Sequence, residues 1–363
     1  MKKNLMLLLL AVAGLTACDP DKKDPDPTPI PPTNNVFVLN EGQFLAGDGA
    51  VSHFNRETKA LILDTYGAAN NGAALGDVVQ SMGVAGNRGY VVVNNSNKIE
   101  VVNLPDFKAV ATIRGLSQPR YFVSTSASRG YVTEWQGSFT NYLPGRVTLL
   151  DLGSNTVAMS GSAPRQVTVG RNPEQPVAVG GNIYVPNSLD NTVSVISDAQ
   201  GAVTNTITVA DGPRSMVEDK NGNIWVLCSG FVTYLQVPPY TATRVSAGTL
   251  IRFSPNSPTT QFRLTFPTTA GPSNLRINPA KDQLYYSFGG AQYQMPITAT
   301  ALPTTPFIRR SFSGFGIDPR DNTIYGGIST SYNTNGRFIR YQANGTAIDS
   351  FAVKIGPNGF VFY

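Results

Sequence analysis

From residue 36 to residue 363, short apolar runs are separated by polar clusters rich in Gly, Pro, Asn and Asp. Many runs alternate apolar and polar side chains with period two and favour β-branched residues, as in residues 98–102 (Lys-Ile-Glu-Val-Val) and 192–196 (Thr-Val-Ser-Val-Ile). This pattern predicts half-buried strands, and no stretch beyond the N-terminus keeps the 3.6-residue period of an amphipathic helix. The chain is expected to be all-β.

The strands belong to a recurring phrase. A Gly-Pro-type turn leads into an apolar strand, then a polar hairpin turn, then a second strand that opens with an aromatic and closes on Asn or Ser. Clear copies run from Gln118-Pro119-Arg120 to Gly130-Tyr131-Val132, from Gly212-Pro213-Arg214 to Asn223-Ile224-Trp225, and from Gly271-Pro272-Ser273 to Gln283-Leu284-Tyr285. Aligned on the second strand, one aromatic fills the same slot seven times, at Phe37, Tyr90, Tyr131, Tyr184, Trp225, Tyr285 and Tyr325. The spacing of roughly 40 to 60 residues is that of a four-stranded propeller blade.

The strands ahead of these aromatics begin near residues 77, 119, 175, 213, 272, 313 and 357. The last of them has no strand after it, and the first aromatic strand has none before it. The two orphans complete one blade, with the C-terminal strand innermost and three N-terminal strands outside it, so that the ring shuts without an open edge. The expected fold is an all-β, seven-bladed β-propeller over residues 36–363, closed by the C-terminal strand. Composition agrees: 35 Gly and 26 Pro supply turns, and charged residues make up only 14% of the chain. Residues 139–144, 233–244 and 298–305 are expected to be insertions on this frame.

Residues 1–17 combine Lys2 and Lys3, an apolar run and Leu15-Thr16-Ala17 ahead of Cys18. The run is short for a membrane span and has the form of a cleaved export signal. The cysteine after Leu-Thr-Ala resembles the bacterial lipoprotein signal, which implies lipidation of Cys18. Residues 18–35 are rich in Asp and Pro and are expected to form an extended tether of roughly 3 Å per residue. The formal net charge of +5 is mild and the basic residues are scattered, which argues against nucleic-acid binding.

Motifs for chemistry are sparse. The single histidine, His53, has no second His and no adjacent Ser or Cys, and is expected to be a satisfied strand residue. Asp219-Lys220-Asn221-Gly222 and Asp318-Pro319-Arg320-Asp321-Asn322 lack calcium-ligand spacing and occupy hairpin turns, where backbone geometry selects such residues. Cys228 is expected to be a small buried apolar residue. Glu41, Asp77, Glu134, Glu174 and Asp190 are the carboxylates that could meet near the axis. No motif favours an enzyme, and neither a metal nor a cofactor is expected.

In a propeller, the turns entering the innermost strands and those leaving the aromatic strands emerge at one end of the ring. That mouth collects neutral amides, aromatics and a few arginines, a lining suited to a large ligand with apolar planes and many hydrogen-bonding groups. Tyr121 and Trp135 are expected to provide apolar contacts, Arg120 and Arg214 to donate to carbonyl or phosphate oxygens, and Gln80, Asn95, Gln175 and Asn187 to meet peripheral amides.

Val36-Phe37-Val38-Leu39-Asn40-Glu41-Gly42, Gln80-Ser81-Met82, Asn94-Asn95-Ser96-Asn97, Gln118-Pro119-Arg120-Tyr121 and Asn172-Pro173-Glu174-Gln175 resemble the surface propeller lipoproteins of Bacteroidetes, which include cobalamin-capturing proteins. Ile183-Tyr184-Val185-Pro186-Asn187 resembles the wider Tyr-Val-Thr-Asn repeat group. The resemblance implies a lipid-anchored outer-membrane protein at the cell surface. Such a protein captures cobalamin or a related corrinoid at the mouth and passes it to a TonB-dependent transporter. A glycan-binding propeller stacking sugars on Trp135, Tyr142 and Tyr332, and a carboxylate-metal hydrolase or lyase, are the alternatives.

Overall fold

The computed structural model describes residues 34–104, 106–138, 141–235, 238–239 and 241–363. The export signal, Cys18 and nearly all of the tether lie outside them.

Seven antiparallel sheets succeed one another along the chain and form a seven-bladed propeller. Blade 1 orders Pro357–Phe362, Asn35–Asn40, Ala50–Asn55 and Leu61–Ile62 from inside outward. Blade 2 runs from Val79–Ala85 to Ala109–Ile113, and blade 3 from Pro119–Ser124 through Arg129–Glu134 and Pro144–Asp151 to Gln166–Arg171. Blade 4 runs from Val177–Val179 to Ala202–Thr208, and blade 5 from Pro213–Glu218 to Ser257–Thr265. Blade 6 comprises Ser273–Ile277, Gln283–Phe288 and Ala291–Pro296, and blade 7 runs from Gly314–Ile317 to Ala347–Ile355. The one described helix, Thr65–Ala69, links blades 1 and 2.

The closure is the expected one. The C-terminal strand pairs antiparallel with the first aromatic strand, with Val36 opposite Phe362 and Val38 opposite Phe360. Asn35 and Tyr363 extend the ladder by exchanging backbone hydrogen bonds of 3.2 and 3.0 Å. Proline opens the innermost strands of blades 1, 3 and 5, the strand position where a missing N–H costs no ladder bond. Gly356 and Gly212 precede two of these prolines with φ of +67° and +70°, which accounts for the Gly-Pro turn.

The aromatic slot has one packing role throughout. All seven residues are buried, and each belongs to a cluster shared with the following blade. Tyr90, for example, packs with Val132 and Leu150 of blade 3, and Tyr325 with Val36 and Phe54 of blade 1. The hydrophobic core is thus seven seams rather than one centre. Tyrosine suits the slot because its tip can bond a neighbouring turn: the Tyr90 hydroxyl donates to Asn155 Oδ1 at 3.0 Å and that of Tyr131 to Asp198 Oδ1 at 2.6 Å.

Blade 6 departs from the four-stranded expectation. Beyond residue 296 the chain carries Pro303 and Pro306, which cannot donate to a ladder, and among the described residues it pairs with the sheet at one isolated bridge, Gln292–Ile308, while Phe307, Ile308 and Phe312 pack against Tyr285. The insertions at 139–144 and 233–244 fall in short hairpins, Gly137–Ser138 with Asn141–Tyr142 and Val232–Tyr234 with Ala242–Arg244.

Candidate functional site at the ring mouth

Four of the eight predicted mouth residues, Gln80, Arg120, Tyr121 and Trp135, fall in one linked network. Arg120, on the innermost strand of blade 3, donates through Nη1 to Gln80 Oε1 at 2.5 Å and through Nη2 to both oxygens of Glu174 at 3.3 and 3.2 Å. The Gln80 amide donates to the Tyr121 hydroxyl at 3.4 Å. The Arg120 guanidinium lies 4.0 Å from the centroid of the Trp135 ring, a cation–π stack, and Trp135 Nε1 donates to Pro173 O at 3.2 Å. The half-buried indole is therefore held at its polar tip and across one face. Burial, and next to it the Glu174 charge, push the Tyr121 phenol above its ordinary range, so it is a neutral hydroxyl at physiological pH.

Asn95 stands next to this network. Its amide is held by Asp77, and with Trp135, Tyr142, Gln118, Gln136 and Asn172 it lines a cavity of about 240 Å³. A second cavity of about 340 Å³ lies between blades 7 and 1, lined by Glu41, Asn358, Tyr332 and the hydroxyls of Ser313, Ser329, Thr330 and Ser331. Burial raises the Glu41 carboxyl above its ordinary pKa, opposed by the hydrogen bond from Asn358 and by the Arg120 charge.

Gln175, next in the chain to Glu174, is held by a residue the sequence did not single out. Arg276, on blade 6, donates to Gln175 Oε1 at 3.4 Å and to Phe315 O at 2.9 Å. Nothing local marks it, because its partners lie 101 and 39 residues away in the chain.

Asn187 and Arg214 do not join the cluster. Asn187 is fully buried inside blade 4, where its amide donates to Thr192 Oγ1 and Ser194 Oγ, both at 3.0 Å. Asn40 makes the same stitch to Ser52 Oγ in blade 1, so an Asn closing the aromatic strand fastens it to the next strand within the blade. Its expected contact with ligand amides is corrected by this burial. Arg214 is exposed on blade 5 and bonds Ser229 Oγ at 3.3 Å, apart from the Arg120 network.

The remaining chemistry-bearing residues are engaged locally. His53 shares a 2.7 Å hydrogen bond with Asn35 Oδ1, and burial lowers its pKa. Glu134 accepts from Arg146, Thr148 and the Ser117 backbone, and Asp190 pairs with Arg171. Asp219 caps its hairpin by accepting from the backbone of Asn221 and Asn223 and from Trp225 Nε1. Cys228 is buried, and its thiol is pushed up to about 12 by desolvation. No three His, Cys, Asp or Glu side chains gather as a metal site among the described residues.

The fold and this mouth define a seven-bladed propeller with a polar, aromatic-edged axial opening. Over residues 34–354 the chain matches the family described as a domain of unknown function, DUF5074, and it belongs to that family. No curated protein matches it in sequence. A quinoprotein alcohol dehydrogenase-like protein of Bacteroides thetaiotaomicron VPI-5482 superimposes with a TM-score of 0.66 at 13% identity, over 91% of this chain and 78% of that one. A functionally unknown protein of Desulfotomaculum acetoxidans DSM 771 gives 0.66 at 10% identity, over 91% and 99%. A 6-phosphogluconolactonase-like protein of Bacteroides fragilis NCTC 9343 gives 0.61 at 14%, over 91% and 98%. At these identities the likeness is one of fold.

Proposed function

We propose that this propeller captures a bulky, amide-bearing nutrient at its mouth without transforming it, with cobalamin or a related corrinoid as the favoured ligand. The observation that carries the reading is the Trp135 indole, stacked on Arg120 and set in the wall of a cavity otherwise lined mainly by amides. An aromatic plane ringed by amide donors and acceptors complements a ligand with apolar faces and peripheral carboxamides. Cavities of about 240 and 340 Å³ suit a large molecule that rests on the ring and inserts only in part.

In this reading Cys18 carries a lipid anchor at the outer membrane, the protein faces the cell exterior, and a TonB-dependent transporter receives the ligand. Activities of the quinoprotein-like and lactonase-like neighbours are not carried over, since only their fold is shared. A glycan reading is favoured by one feature, Tyr332, which is 76% exposed beside the hydroxyl-lined cavity.

The test is to incubate the purified protein with cobalamin, cobinamide, haem and a panel of oligosaccharides, then remove free ligand by gel filtration. Retention of the corrinoid absorption band is expected. Stabilisation by oligosaccharides with no corrinoid retained would replace this reading by the glycan one.

A further inference from the structure

Arg276 sits among the innermost strands with no ion pair among the described residues. Its Nε donates to Phe315 O at 2.9 Å, and its Nη1 donates to Leu275 O at 2.8 Å and to Gln175 Oε1 at 3.4 Å. All three acceptors are neutral. Nη2 makes no hydrogen bond among the described residues, and Arg276 as a whole is only partly buried. Enclosing a guanidinium without a counter-charge is costly, and bridging blades 6 and 7 uses only Nε and Nη1.

Two further donors belong to the same network and are likewise unspent. Gln175 uses its oxygen toward Arg276, which leaves its NH₂ available. The Tyr121 hydroxyl accepts from Gln80, which leaves its proton to donate elsewhere, and through Gln80 and Arg120 it is tied to Glu174, the residue before Gln175. The carboxylate beside them, Glu174, is already held through both oxygens by Arg120. The inner network thus offers a cation and two neutral donors, with its one anion neutralised.

We propose that Arg276 Nη2, the Gln175 amide and the Tyr121 hydroxyl form an oxyanion receptor in the ring axis, which takes the carboxylate or phosphoryl group of a slender organic molecule or of an appendage on a larger one. A planar guanidinium with a free edge suits such oxygens. The receptor adds to the capture reading and does not depend on it.

The test is to titrate the full chain with succinate and, separately, with inorganic phosphate by calorimetry, holding ionic strength constant with chloride. Saturable binding of either anion is expected, and the preferred one names the group. Arg276→Gln should weaken it at least tenfold, whereas Arg263→Gln, on the exposed outer strand of blade 5, should leave it unchanged. Absence of saturable binding overturns the proposal, as does a lower Tm in Arg276→Gln with unchanged affinity, the mark of a purely bridging arginine. If Arg276→Gln fails to fold, wild-type crystals soaked in selenate decide: an anomalous peak within hydrogen-bond distance of Arg276 Nη2 supports the receptor, and its absence overturns it. Because the probes are small anions, this result is read independently of whether a corrinoid binds.

Discussion

Phe338 sits where the ring shuts, and replacing it with alanine tests the closure energetically. It is fully buried in the seam between blades 7 and 1. Its ring stacks on Phe351 and Tyr325 at centroid distances of 5.2 and 5.9 Å and meets Phe54 and Phe360 edge-on at 5.2 and 5.9 Å. Phe54 comes from the N-terminal part of blade 1 and Phe360 from the C-terminal strand, so one side chain touches both halves of the closing blade. Buried Phe→Ala substitutions cost about 3–5 kcal/mol through lost transfer energy and the cavity left behind. Each aromatic pair contributes about 0.5–1.5 kcal/mol beyond burial, and the lost pairs move the expected value to the upper end, about 4–5 kcal/mol. For a ring of this size an unfolding entropy near 0.7 kcal/mol per degree converts this to a Tm lower by about 6 °C. Chemical denaturation at equilibrium measures it, with the exposed Phe44→Ala as the control expected within about 0.5 kcal/mol of wild type. A loss below about 1.5 kcal/mol for Phe338→Ala would mean that the seam does not hold the ring shut.

Deleting residues 356–363 removes the whole closing strand together with the contacts of Phe360 and Phe362 to Tyr325, and should give aggregated protein on gel filtration; a monomer with wild-type Tm contradicts the closure. Glu41→Gln keeps the acceptor for Asn358 while removing a carboxyl whose folded pKa is raised. The stability of the wild type is complete below the unfolded pKa near 4.5 and is lost as pH rises through the higher folded value, so the Tm difference between Glu41→Gln and wild type should become more positive from pH 4 to pH 7; a constant difference refutes the raised pKa. Cys18→Ser should abolish incorporation of labelled fatty acid in a bacterial host, and persistent labelling would place the anchor elsewhere.

The architecture was legible because it repeats. A buried aromatic that packs on the next blade must recur once per blade, and two orphaned strands have one way to pair. Gln80, Arg120 and Tyr121 could be placed at the mouth because they follow the turns into innermost strands, whose direction the repeat fixes. Arg276 escaped because its role comes from blades 4 and 7, and no local pattern reports a contact across the ring. Asn187 was misplaced for the opposite reason. The closing Asn is a marked feature of the repeat, but its side chain turns into the blade to reach Ser194, a direction set by strand pleat and register. The fourth strand that blade 6 lacks among the described residues is foreshadowed by Pro303, inside the expected insertion at 298–305, and by Pro306 just after it.

Calorimetric titration of cobalamin into the wild-type protein and into Trp135→Ala addresses capture at the mouth most directly. Losing an aromatic plane at a binding hot spot typically costs about 2 kcal/mol or more. Saturable heat is expected with wild type, and affinity at least tenfold weaker with Trp135→Ala while the Tm stays unchanged. No heat with any corrinoid would remove the ligand, and equal affinity in the two proteins would move the site away from the Arg120–Trp135 edge of the ring.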